Sequence, residues 1–158
     1  GICQIANDNA EGQVIVSGNK EKVEFLQNIL KEKKIKSLPL KVSAPFHCSL
    51  MKPAAKVMEE KIKNTEFKKP LLEIINNVTA TPEKNPENIK KLLVEQIYST
   101  VKWRQSITKM NELNVKNFIE IGPGKVLSGM VKRTIKNVNN FSINSVDDIK
   151  NLKNELKK

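Results

Sequence analysis

After residue 47, short apolar runs of β character alternate with amphipathic helical stripes, and this alternation restricts the fold more than any other feature of the chain. Leu71-Leu-Glu-Ile-Ile75, Asn117-Phe-Ile-Glu-Ile121 and Phe141-Ser-Ile143 read as strands. Met51, Ala54, Ala55, Met58 and Ile62 recur at helical spacing over residues 51–64, with Pro53 tolerated in the first turn. Asn85 and Pro86 open a helix with the stripe Ile89, Leu92, Leu93, Gln96 and Ile97. Another helix carries Trp103, Ile107 and Met110, and a further one turns Leu127, Met130 and Val131 inward. Ser145 is placed to cap a polar C-terminal helix. Strands separated by helices define an α/β layered architecture.

The first 42 residues carry a different pattern. Residues 2–6 read as a strand ending in the turn signal Asn7-Asp8-Asn9. Gly12-Gln-Val-Ile-Val-Ser-Gly18 reads as a second strand, and Asn19 as the cap of a helix with Val23, Leu26 and Leu30 on its apolar face, widened by Phe25 and Ile29. Residues 35–42 read as a third strand. Strand, turn, strand, helix, strand is the back half of a split β-α-β layer.

The chain of 158 residues is long enough to bury a core, and 39% hydrophobic with 28% charged residues is the balance of a folded chain. The net charge of +11 admits a phosphate- or carboxylate-bearing partner. The lysines are nevertheless scattered through every segment, without the interleaved aromatics of a single-strand binder or a helix-turn-helix. A basic polyanion-binding module therefore stands as the weaker reading, and neither nucleic acid nor membrane is expected as a partner. Cys3 and Cys48 have no metal-ligand spacing and are too few for a disulfide scaffold, so a reducing, cytoplasmic setting and no bound metal are expected. No run reaches transmembrane length. Gly1 enters directly on strand-like sequence, and the chain is expected to be part of something longer.

His47 is the single histidine and lies between the run Leu38-Pro-Leu-Lys-Val42 and the helix beginning near Met51. Its imidazole is the side chain suited to exchanging protons near neutral pH. A lone histidine among apolar neighbours is more often structural. No Gly-x-Ser-x-Gly elbow occurs, Cys48 has an apolar setting unsuited to a nucleophile, and no carboxylate pair suggests acid–base work. If His47 is a base, its nucleophile lies outside these residues. Gln96 is an amide on an otherwise apolar stripe, either satisfying local backbone or belonging to a site. The strand–Gly122-Pro-Gly124–helix segment can offer amides to an anion, but without further glycines or a Lys-Ser/Thr pair it is no phosphate loop, and a tight turn is the better explanation.

Ala6-Asn7-Asp8-Asn9 with Gly12-Gln-Val-Ile-Val-Ser-Gly18, Pro45-Phe-His47-Cys-Ser-Leu-Met51, Asn76-Asn77-Val78, Gln96-Ile-Tyr98 with Val101-Lys-Trp103, and Glu120-Ile-Gly122-Pro-Gly124-Lys-Val-Leu127 together resemble the malonyl-CoA:acyl carrier protein transacylase family, over about residues 2–145 and in family order. The resemblance covers the C-terminal half of that family. It implies an α/β-hydrolase-like large subdomain, here residues 43–158, with an inserted ferredoxin-like small subdomain, of which residues 1–42 are a part. It implies ping-pong transfer of malonyl from coenzyme A, through a serine, to the phosphopantetheine thiol of acyl carrier protein in fatty acid biosynthesis. No cofactor is implied beyond malonyl-CoA as substrate. His47 matches the base, and Gln96 the residue whose backbone carbonyl orients it. Asn7, Asn9 and Asn77 match polar residues around the cleft. Phe46 matches a position beside the base that goes with malonyl choice, and Lys36 a basic position facing coenzyme A or carrier phosphates. The elbow, the oxyanion glutamine and the malonate-binding arginine belong to the half not covered, so these residues alone are expected to be inactive. They are also expected to self-associate through exposed sheet edges. An acyltransferase domain of a polyketide synthase is the alternative within the class.

Overall fold

A computed structural model describes residues 1–156. In chain order, β1 is Cys3–Ala10, β2 is Gln13–Gly18 and α1 is Lys20–Glu32. A 3-10 turn at Ser49–Met51 leads into α2, Lys52–Lys63. The remainder is β3 (Ile74–Ile75), β4 (Pro82–Glu83), α3 (Pro86–Gln96), α4 (Trp103–Glu112), β5 (Asn117–Ile121), α5 (Val126–Thr134), β6 (Asn139–Ile143) and α6 (Val146–Glu155). The α/β class holds.

β5, α5 and β6 form a β-α-β unit. β5 and β6 pair in parallel, Asn117 opposite Asn139 through Ile121 opposite Ile143. A parallel pair needs a crossover, and α5 supplies it. Ile107 of α4, Val131 of α5 and Ile135 form the buried core, with Trp103, Met110, Phe118 and Val138 packed around it. Met130 and Val131 of α5 are buried, but Leu127 is exposed, contrary to its expected inward face. The first turn of α5 is held instead by Glu120, which accepts from the Leu127 and Ser128 amides at 3.1 and 2.8 Å. Gly122, with φ of +137°, and Gly124, with φ of +92°, make the bend that allows this. Their amides are spent within the protein, Gly122 on the Ile143 carbonyl and Gly124 on Asn144 Oδ1. The segment is a tight turn with its own carboxylate at the helix N-terminus.

That carboxylate has a pH consequence. Hydrogen bonding from Ser128, side chain first and then amide, holds the Glu120 carboxyl below its ordinary 4.5. Glu83 is lowered likewise, by the amide of Asn85, the side chain of Asn88 and the amide of Lys84. A carboxyl depressed in the folded state stabilises above its unfolded pKa and loses that contribution as pH falls through the folded value. Thermal stability should therefore hold down to about pH 4.5 and decline below it, and Glu120→Gln should flatten that decline. A variant curve parallel to wild type below that pH would refute the assignment.

Several local expectations are corrected. Asn7, Asp8 and Asn9 do not form a turn: β1 runs on through Ala10, with two bulges, and the reversal falls at Glu11-Gly12, where Gly12 has φ of +71°. Tertiary partners override the turn preference, since the Asp8 amide donates to the Val101 carbonyl at 2.9 Å and Arg104 and Gln105 clasp its side chain. Residues 35–42 form no strand. Pro39 lacks an N–H, and every residue from 31 to 43 is exposed, with no neighbouring strand to pair. The small layer therefore keeps two strands and one helix. Asn19 precedes α1, but its side chain accepts from the Ile2 amide at 2.6 Å instead of capping the helix. The run 71–75 is a strand only at Ile74–Ile75, and Leu71 is 95% exposed. Of the α2 stripe, Ala55 alone is buried. The caps at Asn85 and Ser145 do form, the latter as a reciprocal capping box with Asp148.

Candidate functional site

His47 sits on the irregular segment ahead of the 3-10 turn, and its φ of +59° places it in the left-handed region. A non-glycine residue adopts that conformation only where its surroundings hold it. Two neighbours are held. The amide and hydroxyl of Ser49 both donate to Gln4 Oε1 of β1, at 2.8 and 2.9 Å. Buried Cys48 turns its thiol onto the Pro45 carbonyl at 3.2 Å. The His47 ring then meets the end of α3, where Nδ1 donates to the Gln96 carbonyl at 2.9 Å.

That carbonyl is available because the helix stops there. The next two amides, of Ile97 and Tyr98, close back onto Val94 and Glu95. Carbonyls in a last helical turn lack intrahelical donors. With the proton on Nδ1, the Nε2 lone pair of His47 remains to take a proton, as in a triad whose carboxylate has been replaced by a peptide oxygen.

The Gln96 side chain turns the other way, and its Oε1 accepts from Asn77 Nδ2 at 3.1 Å. Asn77 is the central residue of an Asx turn in which Asn76 Oδ1 accepts from the Val78 and Thr79 amides. The Asn77 carbonyl accepts from the Lys102 amide at 2.8 Å, beside Val101, which is bonded to Ala6 and Asp8 of β1. His47, Gln96 and Asn77 are thus brought into one hydrogen-bonded group.

The other expected residues are placed more loosely. Asn7 is half-buried on β1, its backbone bridged to Val101, and Asn9 is buried two residues on. Neither side chain is hydrogen-bonded to His47 or Gln96. Phe46 is exposed immediately before the histidine. Lys36 is exposed in the irregular segment after α1 and makes no hydrogen bond or ion pair among the described residues.

Two features escaped the sequence. Gln4 holds Ser49 from 45 residues away. The Asp8 carboxylate receives Arg104 Nε and Nη2 and Gln105 Nε2, at 2.9, 2.7 and 2.8 Å, tying β1 to α4. No local pattern marks either, since each joins residues distant in sequence. Among the described residues, no cluster of three or more His, Cys, Asp or Glu side chains is arranged to hold a metal. None of the described helices is long and apolar enough to cross a membrane.

A histidine whose Nδ1 is fixed by a peptide carbonyl has the arrangement that a general base needs. The model of the acyl transferase domain matches residues 3–155, and the chain belongs to that family. Within it, the chain is 40% identical over 149 residues to the malonyl CoA-acyl carrier protein transacylase of Bacillus subtilis, covering 94% of this chain and 47% of that protein. It superposes on the acyl-carrier-protein-S-malonyltransferase of Bartonella henselae with a TM-score of 0.94 at 37% identity, covering 100% of this chain and 51% of the other. A further solved structure, a type II PKS acyl-carrier protein in complex with its malonyl-transacylase, matches with a TM-score of 0.90 at 37% identity, over 97% of this chain and 50% of that one. The chain thus spans about half the length of the relatives it matches, corresponding to their C-terminal half. These names do not favour a synthase-embedded acyltransferase domain.

Proposed function

We propose that this chain supplies the general base of a malonyl-CoA:acyl carrier protein transacylase acting in fatty acid biosynthesis. The observation that carries the reading is the His47 Nδ1 to Gln96 carbonyl hydrogen bond of 2.9 Å, which leaves Nε2 free for proton transfer. A serine from the complementary half attacks the malonyl thioester carbonyl while His47 takes its proton. The tetrahedral intermediate collapses, the C–S bond breaks, and His47 returns the proton to the departing coenzyme A thiolate. The carrier protein's thiol then gives up its proton to His47 and attacks the serine ester; the serine C–O bond breaks, His47 returns the proton to the serine oxygen, and the carrier leaves with the malonyl thioester. Asn7 and Asn9 line the cleft in this reading, residues 1–42 belong to the small subdomain, and Lys36 meets phosphates of coenzyme A or the carrier. The two free thiols suit a cytoplasmic setting.

The test pairs this chain with the complementary N-terminal half of the Bacillus subtilis relative and follows malonyl transfer from malonyl-CoA to acyl carrier protein. The chain alone should transfer nothing, and the pair should transfer. A stable pair that remains inactive, or transfer by the unpaired chain, would overturn the reading. Binding to a polyanion with a steep salt slope and useful affinity near physiological salt would favour the nucleic-acid alternative instead.

In the active pair, Phe46 should favour malonyl over methylmalonyl groups, its ring crowding an α-methyl beside the base. One methyl is worth about 1–3 kcal/mol of discrimination. Phe46→Ser should therefore reduce the preference by roughly tenfold, measured as the ratio of kcat/KM for the two thioesters. An unchanged ratio would remove Phe46 from specificity.

The unpaired chain should self-associate. Ile5 and Val14 on the β1–β2 hairpin, Leu71, Leu72, and Ile121 at 82% exposure leave apolar surface bare, and the outer edge of β2 has no strand partner among the described residues. Light scattering at micromolar concentration should exceed the monomer mass. A monodisperse monomer that binds no hydrophobic dye would count against this.

A further inference from the structure

The geometry points to Asn77 as a positioning residue for His47, acting through the Gln96 side chain to aim the Gln96 carbonyl at the imidazole. The inference deepens the reading of His47 as a base and rests on it.

The carbonyl that meets His47 belongs to the last residue of α3, so its direction follows the setting of that helix end. Packing against α2 secures that setting only in part. No residue of α3 is fully buried, and a cavity of about 210 Å³ lies beside the helix, lined by Ile74, Ile75, Leu92, Leu93, Asn77 and Gln96. On the side of that cavity the helix lacks contacts that would help to fix its rotation. The N-terminal end is held by Asn85, which caps it, and by Glu83 Oε2, which accepts from Asn88 Nδ2 at 3.0 Å. Around the Gln96 side chain, the hydrogen bond that plays the corresponding part is the one from Asn77.

Asn77 is fit for this because its own backbone is fixed. The Asx turn of Asn76 sets the chain direction, and the Asn77 carbonyl holds the Lys102 amide at 2.8 Å. Lys102 follows Val101, whose amide donates to the Ala6 carbonyl and whose carbonyl accepts from the Asp8 amide. A continuous path therefore runs from β1 through Val101, Lys102, Asn77 and Gln96 to His47. The Asn77 Nδ2 hydrogen bond is directed at Gln96, so its role is to place the base's partner.

His47 is the only histidine in the chain, so histidine-selective 15N NMR reads its ring without ambiguity, in solution or, for associated material, under magic-angle spinning. Wild type should show one tautomer above the histidine titration, with the proton on Nδ1 and a bare Nε2. Asn77→Leu, close in size but unable to donate, should lose that single-tautomer signature and show the mixed populations of an unheld imidazole. Asn77→Asp should keep it, because the Gln96 amide can turn over and donate to the carboxylate. Gln96→Glu should keep it too, since a carboxylate still accepts from Asn77. The double variant Asn77→Asp/Gln96→Glu places two carboxylates with no donor between them and should lose it at neutral pH. Asn77→Leu with native circular dichroism and the wild-type tautomer would overturn the positioning role. So would a double variant indistinguishable from the singles, and this comparison decides the matter even if Asn77→Leu fails to fold. A wild-type ring carrying its proton on Nε2 would overturn the His47–Gln96 contact itself, and the functional reading with it.

Discussion

His47→Ala, introduced into this chain and assayed in the active pair, is expected to lower malonyl transfer by about 10²–10⁴, the range for a lost general base. The loss should appear in kcat, because the imidazole acts on protons in flight in both half-reactions and alanine removes nothing that holds the acyl group. Gln96→Ala should cost far less. Its peptide carbonyl survives the substitution, and what it gives up is the side-chain hydrogen bond to Asn77. The ratio of the two losses is informative. Near-equal defects would mean that the amide side chain, rather than the carbonyl, supports the base. A His47→Ala pair retaining more than a tenth of wild-type kcat would remove His47 from proton transfer. Circular dichroism of both variants should match wild type, as neither residue belongs to the Ile107 core.

Ile107→Ala is expected to cost about 2–5 kcal/mol of folding stability, the usual range for emptying a packed aliphatic site. Ile107 is 1% exposed, at the centre of the contact between α4, α5 and the β5–β6 layer. Trp103, Met110, Phe118 and Val138 surround the cluster without being fully buried themselves. Against a total stability of about 5–15 kcal/mol for an ordinary domain, the substitution removes a large fraction. The measurement is the urea midpoint at fixed protein concentration. Leu71→Ala is the control, since Leu71 is 95% exposed and truncating it should shift stability by no more than about 0.5 kcal/mol. If the two substitutions shift the midpoint alike, the assigned core is wrong.

Most elements after residue 85 were legible in the sequence because the signals that create them are local. Asn85-Pro86 starts α3 where the side chain of Asn85 accepts from the Glu87 and Asn88 amides, and Ser145 starts α6 through its exchange with Asp148. The runs 117–121 and 141–143 are strands, and Ile107, Met130 and Val131 lie inside as their spacing indicates. The family, too, was readable from the chain, since its motifs are short and ordered. Periodicity reports which face of an element is apolar, and capping reports where it begins.

Only the tertiary structure decided the rest, and in each case a partner far away in sequence was the reason. Asn7-Asp8-Asn9 has the composition of a turn, yet Arg104, Gln105 and Val101 hold it in β1. Residues 35–42 have the composition of a strand, yet among the described residues no strand pairs with them, and an unpaired strand lacks the ladder hydrogen bonds that would stabilise it. Asn19 has the right position for a cap, but the Ile2 amide takes its side chain. The site follows the same rule. The sequence by itself determined that one histidine stands ahead of a helix and one amide interrupts an apolar stripe. The fold decided that His47, Gln96 and Asn77 meet, by stopping α3 where its last carbonyl is free and by anchoring Asn77 against β1 through Lys102 and Val101.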